Sequence, residues 1–114
     1  MTILTEVMEG EVTRVNLDGR MDIEGAAQVD LRMNIIAGSA KRLLIDLSQV
    51  SFIGSMGLRS LVVPAQAVRR RGGKVVLLSP VALVEQVLQS SKINEIIPVV
   101  HDLDSALAVL EAQP

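Results

Sequence analysis

Ser55 is the residue of this sequence whose type and setting most clearly suggest chemistry. It stands in the stretch Gly54-Ser55-Met56-Gly57, after an apolar run and at the start of a segment with helical periodicity. The nearby glycines leave its hydroxyl uncrowded and open to a second protein. Three roles are open: an N-cap whose oxygen accepts a backbone N–H, a nucleophile, or a target of another protein's chemistry. The capping role is compatible with a functional one.

A hydrolytic nucleophile is the weakest of these roles. The G-x-S-x-G elbow requires glycine at the position of Ile53. The base would have to be His101, the single histidine, and nothing indicates an oxyanion hole. Gly72-Gly73-Lys74 leads into a strand and is not a phosphate-binding loop. We therefore expect no enzymatic activity, and we expect His101 to be a partly exposed residue before the last helix.

The carboxylates offer a weak metal hypothesis. Asp18, Asp22 and Asp46 could meet at one end of a sheet and hold a divalent cation. No spacing rule supports this site, and the favoured role for Asp46 is to brace the loop after its strand. The chain has no cysteine and one histidine, so thiolate and His-rich metal sites are excluded. No metal and no cofactor are expected.

Arg69-Arg70-Arg71 is the only charge run. It could bind nucleic acid or anionic lipid, or it could be a solvated helix end whose cations complement the negative end of the helix dipole. No aromatic stacking residues accompany it, and the net charge is only -2. The helix-end interpretation is favoured, and no direct nucleic-acid binding is expected.

Composition indicates a single domain spanning residues 1–114. Hydrophobic residues make up 49% of the chain, which is enough for a core, although aromatic residues are only 1%. The acidic N-terminus does not resemble a signal peptide, and the apolar runs are far shorter than a membrane span. A cytoplasmic protein without membrane insertion is expected.

Hydrophobic periodicity predicts an alternation of strands and helices. Residues 3–8 and 13–17 alternate between apolar and polar, as in an edge hairpin with a turn at Glu9-Gly10. Continuous apolar runs predict strands buried on both faces; they are Leu43 to Ile45, Val75 to Leu78 and Ile96 to Val100. Four stripes predict helices; they are Ile23, Ala27, Leu31, Ile35; Leu58, Leu61, Val62, Ala65, Val68; Val81, Val84, Val87, Leu88; and Leu103, Ala106, Leu107, Leu110.

This order predicts an α/β fold with a mixed, mostly parallel sheet of about five strands, four helices and an N-terminal antiparallel edge hairpin. Ser79-Pro80 predicts the start of the third helix, Gly72-Gly73 the end of the second, and Asp102 or Asp104 the cap of the fourth. Pro64 is expected to kink the second helix. Residues 112–114 are expected to fray.

The stretch from Leu43 to Val62 resembles the central motif of STAS domains, and particularly of bacterial anti-sigma factor antagonists. That family has an apolar strand, then D-L-S-x-V-x-F, then D-S-[ST]-G-L at a helix start. The matching residues are Asp46, Leu47, Ser48, Val50, Phe52, Ser55, Gly57 and Leu58. The loop from Leu17 to Asp22 and the order of elements are also similar, so a STAS-like fold is implied.

The resemblance implies a regulatory binding protein and not an enzyme. In the family, the serine that matches Ser55 is phosphorylated by an anti-sigma factor that is also a serine kinase. The unphosphorylated antagonist binds this partner and frees the sigma factor, and a metal-dependent serine phosphatase restores that form. Ser55 is the implied phosphoacceptor, and the implied partner-binding residues are Asp22, Gly54, Ser55, Met56, Gly57 and Arg59.

Two residues depart from the family pattern. Gly54 replaces the acidic residue before the serine, and Met56 replaces the small hydroxyl residue after it. These changes could alter the choice of kinase, or they could mark a branch that is never phosphorylated. The alternative function is therefore a STAS subunit that docks on a membrane transporter of lipids or anions without phosphorylation.

Overall fold

The computed structural model describes residues 1–111, so the predicted fraying of residues 112–114 lies outside the described residues. Within this range the chain forms five strands, four α-helices and one 3₁₀ turn. The elements are β1 (Thr2–Met8), β2 (Val12–Met21), α1 (Ile23–Ala37), β3 (Arg42–Ile53), α2 (Ser55–Arg70), β4 (Lys74–Leu78), α3 (Ala82–Ser90), the 3₁₀ turn (Ile93–Glu95), β5 (Val99–Val100) and α4 (Leu103–Glu111).

The strands form one sheet in the order β1-β2-β3-β4-β5. Strand β1 pairs antiparallel with β2, and the other neighbours are parallel. The predicted mixed sheet with an N-terminal edge hairpin is therefore confirmed. Helices α1, α2 and α3 pack on one face through the larger core cluster, and α4 packs on the other face through a smaller one.

Strand β3 explains why continuous apolar runs mark this fold. Its side chains alternate between the two faces, and both faces are covered. Leu43 and Ile45 join the cluster beneath α1 to α3, whereas Leu44 joins the cluster beneath α4. All three residues are 0% exposed. Burial on both faces is what produces an apolar run without a polar alternate.

Helix α1 forms where the sequence predicts it, but the expected stripe does not face the core. Ile23, Leu31 and Ile35 are 74, 72 and 65% exposed. Successive residues four apart rotate by about 40° around a helix, so this stripe drifts across the outer surface. The buried face consists of Gly25, Ala26, Val29, Met33 and Ala37. The helix carries apolar residues on two faces, and only packing against the sheet selects one.

Two predicted boundaries are wrong at the β4–β5 end of the sheet. Ser79 does not cap α3; its φ is +52°, its hydroxyl donates to the His101 carbonyl at 3.2 Å, and Val81 is the N-cap. Strand β5 comprises only Val99–Val100. Pro98, just before it, has no N–H to donate to the ladder, although its carbonyl accepts the Leu77 amide at 2.9 Å.

The other predicted helix ends are close to the observed ones. Asp102 caps α4, since its carboxylate accepts the Ser105 amide at 2.8 Å. Helix α2 ends at Arg70, and Gly72 follows with a φ of +82°. Pro64 lies within α2, and the chain is helical on both sides of it, from Ser55 to Arg70.

Asp46 lies in the middle of β3 and not at its end, so the predicted loop-bracing role is wrong. Its carboxylate accepts Arg14 Nη2 at 2.6 Å and the Ser48 amide at 2.9 Å. Burial disfavours the charged form, but Ser48 and Arg14 outweigh it and lower the pKa of Asp46 below its ordinary value. This ion pair joins β2 to β3 on the face that carries α4.

Two of the three arginines in the run from Arg69 to Arg71 donate hydrogen bonds to carbonyls of neighbouring segments. Arg69 Nη1 donates to the Ile96 carbonyl at 2.6 Å. Arg71 Nη2 donates to the carbonyls of Ala40, at 2.9 Å, and of Ala37, the last residue of α1. All three arginines are exposed, as a solvated helix end requires. Arg69 and Arg71 in addition join α2 to neighbouring segments.

Truncating one residue on each face of α1 tests which face is buried. We expect Leu31→Ala to change the free energy of unfolding by less than about 0.5 kcal/mol, because the side chain is exposed. Met33→Ala, on the 1% exposed side chain of the opposite face, should cost about 2–5 kcal/mol. Chemical denaturation measures both. Equal costs would contradict the observed orientation of α1.

The lowered pKa of Asp46 predicts an acid-dependent loss of stability. A depressed carboxyl pKa contributes stability above the unfolded value of 3.8, and this contribution disappears as the pH falls below that value. We expect Asp46→Asn to destabilise the protein at pH 7 and to differ less from the wild type at pH 3. Free energies of unfolding across this range check it, and a pH-independent difference would contradict it.

Candidate functional site

Ser55 is the first residue of α2 and is exposed, but it is not the helix cap. Gly54 occupies the N-cap position with extended backbone angles (φ -105°, ψ -173°), and no side chain caps the helix. The Gly54 carbonyl accepts the Leu58 amide at 2.9 Å. The capping role considered for Ser55 is therefore wrong. Within residues 1–111 the Ser55 hydroxyl makes no hydrogen bond to the protein, and it projects beside amides that have no intrahelical acceptor.

The ends of β2 and β3 bring the starts of α1 and α2 together. Met21 and Ile53 are partners in the parallel register, and the Gly54 amide donates to the Met21 carbonyl at 3.0 Å. Asp22 follows as the N-cap of α1, with its carboxylate accepting the Gly25 amide at 2.8 Å. Two helix N-termini thus lie at the same edge of the sheet, where α/β folds commonly place their sites.

Gly57 permits the close approach of α2 to this edge. A Cβ at this position would lie 2.5 Å from the Met21 carbonyl oxygen, 2.7 Å from Met21 Cβ and 2.9 Å from Ile53 Cγ1. Gly57 is buried, so it supports the site from beneath. Gly54 is less crowded, since its nearest contact for a Cβ is Phe52 Cε2 at 3.5 Å.

Arg20 and Phe52 form a wall next to Gly54. The Arg20 guanidinium lies over the Phe52 ring, 4.5 Å from its centroid, which is a cation–π geometry. Arg20 Nε is also 3.6 Å from Asp22. The Gly25 amide, assisted by Arg20, holds the pKa of Asp22 below its ordinary value despite the opposing effect of desolvation. Asp22 is therefore ionised and already engaged at neutral pH.

A groove of about 220 Å³ separates α1 from α2 and begins beside Ser55. It is lined by Asp30, Asn34, Met56, Arg59, Ser60, Val63 and Pro64. At its base the Ser60 Oγ lies 2.5 Å from Asp30 Oδ1 and 3.0 Å from the Met56 carbonyl oxygen. Met56 and Arg59 are exposed, so the groove offers both an apolar and a cationic contact.

The structure groups most of the predicted site residues on one surface. Asp22, Gly54, Ser55 and Met56 lie where the two helices begin, and Arg59 follows one turn along α2. Arg20, Asp30 and Ser60 belong to the same region but were not predicted. Each also makes a contact that is distant in the sequence, since Arg20 lies over Phe52 and Asp30 contacts Ser60, and no local motif reveals these pairs. Phe52 is part of the STAS-like motif, but its contact with Arg20 was not predicted.

The alternative chemical sites are not assembled. His101 follows Val100, which is level with Asp46 of β3 through Leu78, whereas Ser55 lies beyond Ile53 at the end of β3. The two residues are therefore separated by two strand spacings and by about 23 Å along the strand direction. His101 is exposed, and its Nε2 contacts the Glu85 carboxylate at 2.8 Å. Within residues 1–111, His, Asp and Glu side chains form no group of three that could hold a metal ion. No helix in this range combines the length and the apolarity needed to cross a membrane.

The sequence model for the STAS domain matches residues 5–106. This chain belongs to the STAS domain family. The match includes β3, α2 and the complete candidate site. It also confirms the resemblance seen in the motif around Ser55.

Relatives named as anti-sigma factor antagonists are similar to almost the whole chain. BtrV of Bordetella bronchiseptica is 28% identical over 109 residues, which are 96% of this chain and 87% of that protein. The crystal structure of an anti-sigma factor antagonist from Mycobacterium paratuberculosis is 25% identical, covers 97% of this chain and 94% of that one, and has a TM-score of 0.85.

Two more distant structures show the same fold. The phosphorylated form of SpoIIAA from Bacillus has a TM-score of 0.71 at 18% identity, over 93% of this chain and 96% of that one. The STAS domain of a SulP transporter from Vibrio cholerae has a TM-score of 0.69 at 23% identity, over 89 and 81% of the two chains. The STAS fold thus occurs both in anti-sigma factor antagonists and in a transporter.

Paired substitutions at the two glycines test how the site is supported. Gly57→Ala should lower the free energy of unfolding by about 1–3 kcal/mol, because the new methyl meets strand backbone that cannot move away. Gly54→Asp should raise it by about 0.5–1 kcal/mol, because the carboxylate can cap α2. Chemical denaturation measures both. A stabilising Gly57→Ala would contradict the close packing of α2 on Met21.

Proposed function

We propose that this chain is an anti-sigma factor antagonist that is switched by phosphorylation of Ser55. The unmodified protein binds an anti-sigma factor with serine kinase activity, and the sigma factor is thereby released for transcription. The phosphorylated protein does not bind, and a metal-dependent serine phosphatase restores it. The chain acts as a binding partner and a kinase substrate, without catalysis of its own.

The observation that carries the proposal is the setting of Ser55. Its hydroxyl is exposed at the first position of α2 and makes no hydrogen bond within the described residues. A kinase can therefore reach it without breaking an existing contact. A phosphate there would lie near the free amides and the positive end of the helix dipole, which favour an anion. The fold should tolerate the modification.

The switch then acts at the docking surface and not through the fold. Phosphorylation adds about -1.5 to -2 charges and a strongly hydrated group. A partner that packs around Ser55 would have to strip water from this group, at a cost on the order of 2–4 kcal/mol, or about 30- to 1000-fold in affinity. Asp22, Gly54, Met56 and Arg59 are the proposed contacts around it, with Gly57 supporting them from below.

The groove between α1 and α2 extends this docking surface. Met56 contributes an apolar contact and Arg59 can pair with a partner carboxylate. The exposed Ile23 and Leu31 of α1 continue the apolar surface outward. Their exposure suits an interface, since apolar side chains gain most when a partner removes them from water.

Gly54 and Met56, which depart from the family pattern, affect how a kinase would recognise Ser55. Without an acidic residue at position 54, the unmodified surface is less negative, so phosphorylation changes its charge by a larger fraction. Met56 places an apolar side chain next to the phosphoacceptor, where it is 38% exposed. We expect the cognate kinase to have an apolar pocket that receives it.

Docking on a membrane transporter is the second candidate function. The apolar Met56 and the likeness to a SulP transporter STAS domain favour it. In this case Ser55 would lie at or near a permanent interface, and no kinase would be involved. Phosphorylation of Ser55 distinguishes the two candidates.

Variants of Ser55 test the switch directly. The anti-sigma factor is first isolated from the native host by pull-down with the wild-type chain. We expect Ser55→Asp to bind it about 30- to 1000-fold more weakly and Ser55→Ala to bind constitutively. Both variants should melt near the wild type. Ser90→Asp, at the exposed end of α3, is the control for added charge and should bind normally.

Phosphorylation itself provides the second readout. Mass spectrometry after incubation with the isolated kinase should locate a single phosphoryl group on Ser55. Modification of Ser48 or Ser60 instead would refute the assignment. If Ser55→Asp and the phosphorylated protein both bind as tightly as the wild type, the switch is wrong and the transporter-docking function gains support.

A further inference from the structure

Strand β1 leaves one long side of the sheet open. It pairs with β2 over seven consecutive residues, Thr2 to Met8, without a register shift. On its other side it has no strand partner within the described residues, because it is the first strand in the sheet order. The opposite edge strand, β5, has only two residues. Backbone donors and acceptors of β1 therefore form an unpaired edge along the whole length of this seven-residue strand.

This edge lacks the features that usually prevent pairing. Proteins protect edge strands with proline, lysine, bulges or very short length, and the sequence of β1, TILTEVM, has none of these. Val7 is 82% exposed, more than any other large apolar side chain described, and Leu4 is 70% exposed. The only charge on the strand is Glu6, which lies 3.9 Å from Arg14 of β2.

A groove lies beside the strand on the side that carries α1. Its volume is about 310 Å³, and its lining residues are Thr5, Glu6, Val7, Thr13, Ile36 and Ser39. Apolar and β-branched side chains from an added strand would lie next to Val7 here and would remove it from water. The open backbone edge and the apolar groove thus face the same neighbour.

We propose that β1 pairs antiparallel with β1 of a second copy of this chain, about a two-fold axis that passes midway between the two copies of Thr5. Such an axis runs perpendicular to the sheet, and it must lie level with a residue that pairs with its own copy, because paired side chains would otherwise lie on opposite faces. Centred on Thr5, all seven residues find a partner. The pairs are Thr2 with Met8, Ile3 with Val7, Leu4 with Glu6, and Thr5 with itself.

The sequence of β1 favours this register and this occupant. On the face that carries α1, the pairs are Ile3 with Val7 and Thr5 with Thr5, which are β-branched residues that suit cross-strand contact. Glu6 lies opposite Leu4 and keeps its own Arg14, so no like charges meet. An axis between two copies of Glu6 would place their carboxylates opposite each other. The small net charge of -2 also leaves little repulsion between copies.

The size of the edge predicts a weak, concentration-dependent dimer. A seven-residue strand is about 23 Å long, and an interface about 15–20 Å wide along it would bury about 800 Å² in total, below the roughly 1,200 Å² of stable complexes. We expect a dissociation constant on the order of 0.1–1 mM. Ser55 follows β3, two strands away from this edge, so the dimer is independent of the proposed switch.

Charged residues introduced at the axis test the proposal. Thr5 is exposed, and Thr5→Lys places two like charges opposite each other, as does Thr5→Glu. Sedimentation velocity up to about 1 mM should show dimers for the wild type, at least tenfold weaker association for each variant alone, and restored association in their equimolar mixture. Circular dichroism should show both variants folded.

A single introduced cysteine tests the register of the proposed β1–β1 pairing. The chain has no cysteine, so Thr5→Cys introduces one thiol, and cross-strand Cα distances of about 4.5–5.5 Å at the axis allow a disulfide. Oxidation should link Thr5→Cys into dimers much faster than Ala108→Cys, an exposed control on α4. A wild-type monomer at about 1 mM, unimpaired Thr5→Lys, an unrestored mixture or equal cross-linking of both cysteines would each overturn the proposal. If the wild type is monomeric, the open edge of β1 would be available to a strand of another protein.

Discussion

The contact between α2 and the end of β2 is the constraint on which the candidate site depends. The Gly54 amide donates to the Met21 carbonyl at 3.0 Å, and Gly57 lies against the same residue with no room for a Cβ. These contacts determine how far α2 can approach the sheet and where its first residue projects. Because Gly54 serves as the cap, Ser55 becomes the first helical residue with a free hydroxyl. A side chain at position 57 would move the helix, and the serine would move with it.

The parallel pairing of β2 with β3 extends this constraint to α1. Both strands end at the same edge, so Asp22 and Gly54 start their helices side by side. Asp30 and Ser60 then join the two helices at 2.5 Å, and Arg71 secures the far end of α1 through the Ala37 and Ala40 carbonyls. The surface around Ser55 is thus carried on two helices that are tied together at several points. A rigid surface of this kind suits a switch that changes charge while leaving the backbone in place.

Most of the fold could be predicted because the burial of a strand largely determines its residue types. Leu43 to Ile45 and Val75 to Leu78 are apolar without alternation since both of their faces are covered, and the alternating residues of β1 and β2 mark a sheet edge. Ser79 and Pro98 show where such reasoning fails. Ser79 has the type of an N-cap, but Val81 performs that role, because the chain needs further residues to turn from β4 into α3. Pro98 interrupts an apolar run that otherwise reads as a strand, and only two residues pair beyond it.

The sequence by itself determined the α/β class, the parallel core strands and the identity of the exposed serine, since these depend on local composition and on a continuous motif. The tertiary structure decided which face of α1 is buried, because α1 has apolar residues on two sides and only the sheet selects between them. It decided the role of Asp46, whose partner Arg14 is 32 residues away. It also decided that Gly54 and not Ser55 caps α2. Each of these outcomes depends on contacts between distant segments, which have no counterpart in the local order of residues.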